Sequence, residues 1–96
     1  MPAFFVATNS IKDSEKFEEY VPKAIETIKS FGGETLLLGK ADGALTGSVN
    51  HQFVGITRFP DMTTLNNWYE SEAYQALVLL REEAAESVIV KYEQLS

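Results

Sequence analysis

The sequence has no cysteine and only one histidine, His51, among its 96 residues. The absence of cysteine excludes disulfide bonds, thiolate nucleophiles and metal sites with sulfur ligands. A metal site built on His51 would need further ligands, and none are patterned around that position. We therefore expect no metal and no other cofactor.

Basic residues and long apolar runs are also scarce. Eight Lys and Arg stand against fourteen Asp and Glu, which gives a net charge of −6 and repels phosphate backbones and anionic lipid surfaces. The longest later apolar run, Ala76 to Leu80, is far below the roughly 20 residues of a membrane span. The apolar N-terminus lacks the basic flank of a signal peptide. We expect a soluble cytoplasmic protein that has neither nucleic acid nor a membrane as partner.

The chain otherwise has the composition of an ordinary globular domain, with 45% hydrophobic and 23% charged residues. Its length fits one hydrophobic core, so residues 1–96 are expected to form a single domain. A domain of this size buries only roughly 60 to 65% of the surface that its unfolded chain exposes. Further burial by oligomerisation would therefore stabilise it.

Four segments have the residue types and the alternation of β-strands. They are expected at Ala3–Ser10, Glu34–Gly39, Asn50–Phe59 and Ser87–Leu95. Alternation along the third strand predicts that one face of the sheet carries His51, Phe53, Gly55, Thr57 and Phe59.

Two helical arms are predicted between the strands. The first is expected to begin after the cap residue Asp13 and to end at Gly32-Gly33. Pro22 lies inside its apolar stripe and predicts a kink or break, because proline lacks an N–H and crowds the carbonyl four residues earlier. The second arm is expected to begin after Asp61 and to restart at Ser71.

The order strand, helix, strand, strand, helix, strand is that of an α+β, ferredoxin-like βαββαβ fold. Both helical arms then cover one face of a four-stranded antiparallel sheet, and the other face stays bare. Apolar side chains on that bare face would form a larger exposed patch than soluble monomers usually carry. The sequence therefore predicts a homodimer that pairs through the open sheet face.

One stretch of the sequence is distinctive, and further characteristic residues are spread over nearly the whole chain. The stretch comprises Phe59-Pro60-Asp61, Trp68-Tyr69-Glu70-Ser71-Glu72-Ala73-Tyr74-Gln75 and Leu80-Arg81. With the Pro-Ala-Phe-Phe start, Glu19-Tyr20 and Phe31-Gly32-Gly33, it resembles the domain of unknown function 1330 family of the dimeric α/β barrel superfamily. The resemblance implies a homodimer whose sheets pack together, and it implies no established reaction. Members often have a glutamate where this chain has Arg58.

Tyr20, Trp68 and Tyr74 are candidates for lining a ligand pocket between the sheet and the helices. Each offers a ring face, and the two tyrosines also offer a hydroxyl that can orient a ligand. Simple core packing is the alternative, because helical spacing alone explains an inward-facing Trp68.

His51 and Arg81 are the candidate polar contacts of the same pocket. His51 can carry a proton near neutral pH, while a lone strand histidine is more often a surface or satisfied core residue. Arg81 can hold a carboxylate through a bidentate pair, and a structural salt bridge is the competing interpretation.

Three hypotheses for the function remain open at this point. The first is a homodimeric module that binds a small, partly apolar molecule between the sheet and the helices. The second is a metal-free, cofactor-independent enzyme of the oxygenase or isomerase type, with His51 as proton carrier, by analogy with other dimeric α/β barrels. The third is a purely structural or regulatory dimer. A cavity on the order of a few hundred cubic ångströms would oppose the third.

Overall fold

The computed structural model describes residues 1–96, and its elements follow the predicted order. The strands are β1 (Ala3–Ile11), β2 (Glu34–Lys40), β3 (Phe53–Phe59) and β4 (Ala85–Glu93). The helices are α1 (Ser14–Ser30), α2 (Met62–Glu70), α3 (Glu72–Gln75) and α4 (Val78–Ala84). The second predicted arm therefore consists of three short helices. None of the helices combines the length and the apolar character that crossing a membrane requires.

Side-chain caps begin three of the helices at the predicted residues. Asp13 and Asp61 each accept a hydrogen bond from the backbone N–H three residues later, at 3.1 and 2.7 Å. Ser71 accepts in the same way at the start of α3, at 3.2 Å. These bonds satisfy N–H groups that have no partner within the first turn of a helix.

Of the kink or break predicted at Pro22, the break is absent, because α1 is one helix of 17 residues. Proline removes a single hydrogen bond from the helix, whereas the apolar stripe continues past it. Ala24 and Ile28, which follow the proline, are buried in the core. Their burial stabilises the second half of the helix. The helix then ends before Gly32, whose φ of 78° suits glycine.

The sheet has the strand order β2-β3-β1-β4, and every neighbouring pair is antiparallel. Phe5 lies opposite Thr57 of β3, and Val6 lies opposite Val90 of β4. The pairing of β1 with β4 extends just beyond the strands, where the N–H of Gln94 donates to the carbonyl of Pro2 at 3.1 Å. This is the predicted ferredoxin-like α+β topology.

The core lies between the helices and one face of the sheet, which we call the helix-side face. Trp68, Tyr74 and Phe59 are its largest fully buried side chains. The Trp68 ring stacks on Phe5 of β1, with ring centroids 5.0 Å apart. Alternation along β1 therefore points Phe5 toward the helices and its neighbours Phe4 and Val6 to the opposite face.

The opposite face of the sheet, the open face, has no covering element in its own chain. Val88, Val90 and Tyr92 of β4 lie on it and remain 49%, 41% and 51% exposed. Leu37 of β2 extends the same face and is 47% exposed. The apolar open face predicted from the strand pattern is therefore present.

Candidate ligand-binding site

A cavity of about 400 Å³, which we call the slot, lies between α1 and the helix-side face of the sheet. Of its 19 lining residues, 13 are hydrophobic. Ala24, Ile25 and Ile28 of α1 form one wall, and Phe5 and Thr57 of the sheet belong to the other. The size is within the roughly 300 to 1,000 Å³ that is typical of small-molecule pockets.

Small residues at the centre of the sheet explain why the slot exists. Ala7 of β1 lies directly opposite Gly55 of β3, and both positions face α1. Leu38 of β2 lies on the other side of Gly55. Protein interiors are otherwise packed as densely as organic crystals, so two positions with almost no side chain leave a gap beneath the helix.

The two ends of the slot differ in character. At one end, the rings of Phe17 and Phe53 lie 6.4 Å apart, and the Lys40 ammonium lies 6.0 Å from the centroid of Phe53. Toward the other end lies Trp68, whose indole N–H donates to Thr27 Oγ1 at 3.0 Å. Thr27 follows Phe17 by ten residues, which corresponds to about 15 Å along a helix.

One hydroxyl in the lining has no hydrogen-bond partner. Thr35 lies on β2, lines the slot, and its Oγ1 atom is buried without a partner. In contrast, Asn9, which lies toward the Phe53 end of the lining, has a partner, because its Oδ1 accepts from Ser87 Oγ at 2.6 Å. A buried hydroxyl without a partner is destabilising.

A hydrogen-bonded row of three side chains begins at the wall of the slot. Tyr20 lines the slot, and its hydroxyl lies 2.7 Å from the hydroxyl of Tyr74. Arg81 donates to the Tyr74 hydroxyl oxygen at 2.8 Å. Burial raises the pKa of Tyr20 above the ordinary tyrosine value, and the neighbouring Tyr74 raises it further. Tyr20 therefore stays protonated and can act as a hydrogen-bond donor.

The salt bridge considered for Arg81 does not form. Its guanidinium is directed at Tyr74, and no carboxylate lies within ion-pair distance. The acidic residue Glu83, two positions along the same helix, instead pairs with Lys16 at 3.2 Å. Arg81 is half-buried behind Tyr74 and does not line the slot.

His51 lies on the open face of the sheet, away from the slot. The strand β3 begins at Phe53, so the alternation that grouped His51 with Phe53 does not reach it, and that prediction is wrong. Its Nδ1 lies 3.1 Å from Thr8 Oγ1 and its Nε2 lies 3.4 Å from Glu86. Both partners belong to the open face, and the histidine side chain is only 13% exposed.

The predicted site residues therefore separate into two groups. The slot and the hydrogen-bonded row behind it contain Tyr20, Trp68, Tyr74 and Arg81, whereas His51 stands apart. Nowhere do three or more His, Asp or Glu side chains come close enough together to hold a metal ion.

Sequence reasoning missed Lys40 and Thr35, two polar residues of the slot's lining. Both lie on β2, an edge strand in which a bulge between Thr35 and Leu37 interrupts the alternation. Because the bulge changes the alternation, the sequence pattern does not show which side chains of β2 face the helix. The pair of small residues Ala7 and Gly55 was a usable signal for the cavity, because it interrupts two otherwise bulky strand faces.

These features define a ferredoxin-like α+β protein with an apolar slot under its first helix. Within that class, the chain belongs to the DUF1330 family, a domain of unknown function, whose family model matches residues 2–94. No curated protein matches the sequence.

Solved structures share the fold at low sequence identity. A protein of unknown function from Rhodopseudomonas palustris is 16% identical, with a TM-score of 0.82 over 99% of this chain and 83% of that chain. The cofactor-independent oxygenase SnoaB from Streptomyces nogalater is 9% identical, with a TM-score of 0.74 over 99% and 94%. A dimeric ferredoxin-like protein of unknown function from Jannaschia sp. is 10% identical, with a TM-score of 0.72 over 98% and 100%. At these identities the likeness shows the fold alone.

Proposed function

We propose that this protein is a homodimeric binding module that holds a small, partly apolar molecule in the slot. The observation that carries the proposal is the apolar cavity of about 400 Å³ in a domain of only 96 residues. A purely structural domain of this size gains nothing from such a gap, because its lining atoms lose the contacts that a filled core provides.

Tyr20 is the group that we expect to orient the molecule. Tyr74 accepts a hydrogen bond from Arg81, so its own proton is available for the hydroxyl oxygen of Tyr20. The O–H of Tyr20 can then donate to an oxygen of the ligand. Such a row, in which each bond polarises the next, suits recognition of a carbonyl or hydroxyl group.

Filling the slot from the sheet side tests the proposal. A Cβ atom at Gly55 would meet only Leu38 Cδ2, at an ordinary 3.5 Å, so Gly55→Val extends into the slot without a backbone clash. We expect this variant to lose ligand binding while its Tm does not fall, since valine is a better strand residue than glycine.

The binding measurement uses Trp68, the only tryptophan, which lines the slot. A thermal-shift screen of small metabolites selects ligands, because binding at a hundred times Kd adds about 2.7 kcal/mol to stability. Trp68 fluorescence then gives affinities for wild type, for Gly55→Val and for the control Gly43→Val, which has no atom within 4 Å of its Cβ. No stabilisation of wild type at millimolar ligand, or undiminished binding by Gly55→Val, would contradict the proposal.

Homodimerisation through the open face is part of the same proposal. It is supported by the exposed apolar side chains of β4 and by the dimeric state of the Jannaschia protein, which has the same fold. Covering this face would remove an apolar patch that soluble monomers rarely expose.

The alternative function is a metal-free, cofactor-independent enzyme with His51 as proton carrier. Its support is the row formed by Thr8, His51 and Glu86, in which the histidine lies between a hydroxyl and a carboxylate. SnoaB, a cofactor-independent oxygenase, has the same fold. A substrate for His51 would have to bind on the open face. Once a substrate is found, unchanged turnover by His51→Ala would reject this role, because losing a general acid or base typically costs about a hundredfold or more.

A further inference from the structure

We propose that the ligand of the slot is an elongated amphipathic anion, with its acidic head group at Lys40 and its apolar body extending toward Trp68. This assignment rests on the proposed function, since it names the chemical class of the molecule that the slot would hold.

The lining of the slot contains a single charge, which is positive. Lys40 is the only charged residue among the slot's 19 lining residues, in a chain whose net charge is −6. Two other lysines, Lys16 and Lys23, are paired with carboxylates at 3.2 and 3.0 Å. Lys40 has no carboxylate within ion-pair distance. The end of the slot at Phe53 therefore offers an unpaired cation and no opposing acid.

Lys40 lies at the Phe53 end of the slot. In the register of β2 with β3 it lies directly opposite Phe53, and its ammonium is 6.0 Å from that ring. The residue is exposed, so the ammonium is accessible to water beside the Phe53 ring. A carboxylate can reach this group without being buried, which avoids the large desolvation cost of an internal ion pair.

The slot is elongated along both β2 and α1. Along β2, the lining extends from Thr35 to Lys40, which corresponds to about 16 Å of strand. Along α1, it extends from Phe17 to Ile28, again about 16 Å of helix. Two independent elements thus give the same length, and the lining between them is predominantly apolar. An extended chain or a linear ring system fits it better than a compact ligand.

The test compares two probes that differ only in their head group, decanoate and decanol, each below its aggregation limit. Trp68 fluorescence reports the arrival of the apolar tail in wild type, in Lys40→Met and in Lys29→Met. The methionine keeps an apolar stem and removes the charge, and Lys29 is an exposed residue of α1 outside the slot.

In wild type we expect decanoate to bind about three- to tenfold more tightly than decanol, the range for a partly exposed charged pair. Lys40→Met should abolish this preference, and Lys29→Met should retain it. Added salt should weaken decanoate binding selectively.

Equal affinities in wild type, or a preference that survives in Lys40→Met, would overturn the anion assignment and leave the slot as a binding site for neutral molecules. Binding of neither probe also overturns it. In that case the metabolite screen of wild type and Gly55→Val decides separately whether the slot binds anything.

Discussion

At the scale of single residues, the hydroxyl pair of Tyr20 and Tyr74 is the most constrained polar feature of the core. Tyr74 is fully buried, and its hydroxyl contacts both Tyr20 and Arg81. One hydroxyl of such a pair must donate to the other, so the pair needs at least one proton, and burial favours the neutral form of Tyr20.

This requirement predicts a loss of stability at alkaline pH. An unfolded tyrosine ionises near pH 10, whereas burial raises the pKa of Tyr20 in the folded protein. Above pH 10 the unfolded state therefore binds fewer protons than the folded state, so the free energy of unfolding decreases as pH rises. The stabilisation is fully present below pH 10.

Urea unfolding between pH 8 and 11.5 measures the effect. Tyr20→Phe should flatten the alkaline decrease, since it removes the shifted group. The control Tyr92→Phe removes a tyrosine of the open face that belongs to neither the slot nor the hydroxyl pair, and it should leave the decrease that Tyr20 causes in place. Parallel pH profiles for wild type and Tyr20→Phe would contradict the assignment.

Among the elements, the turn from α1 into β2 is the tightest junction. A Cβ atom on Gly33 would lie 2.6 Å from Ile28 Cγ2 and 2.7 Å from Phe59 Cε1. Both neighbours are buried side chains of the core. The close approach of the chain to Phe59 leaves no room for a side chain immediately before β2.

We predict that Gly33→Ala lowers the free energy of unfolding by roughly 1 to 3 kcal/mol, the usual cost of overpacking a core. Gly43→Ala is the control, since its Cβ would meet no atom within 4 Å. Urea titration of both variants measures the difference. Equal stability of the two variants would show that Ile28 and Phe59 can move aside.

The elements also show how far the sequence determines the fold. Local signals located the caps at Asp13, Asp61 and Ser71 and the glycine end of α1, because each depends on residues within one turn. The continuity of α1 through Pro22 could not be predicted, since it depends on burial against strands distant in sequence. The same holds for His51. The face on which it lies depends on where β3 begins, and the pairing of β3 with β1 determines that position.

The site was predicted less completely than the fold. Aromatic residues at helical spacing correctly indicated that Tyr20 and Trp68 face the sheet. Their hydroxyl and indole partners are set by tertiary packing, which brings Tyr74 to Tyr20 and Thr27 to Trp68 across more than forty residues. Sequence spacing carries no information about contacts of that range.

For the whole molecule, the open face predicts the state of assembly. Val90 lies opposite Val6 on this face and is 41% exposed. Val90→Glu should convert the proposed homodimer to a monomer, because each interface would then bury two unpaired carboxylates. Leu79→Glu is the control, since it places the same charge on an exposed leucine of α4.

Native mass spectrometry and sedimentation velocity at matched concentrations measure the assembly of all three proteins. A monomeric wild type, or a Val90→Glu variant that remains dimeric, would contradict pairing through the open face. Native mass spectra of wild type also reveal any small molecule that is retained through purification.

The hydrogen bonding of β1 with β4 has a consequence for biosynthesis. β1 is an interior strand, and one of its two neighbours is β4, formed by residues 85–93. The bond from Gln94 to Pro2 extends this pairing. While the nascent chain is emerging, that edge of β1 has no partner and can template pairing with another strand. The apolar segment from Ala3 to Val6 therefore stays open to pairing with other chains until residues 85–93 have emerged.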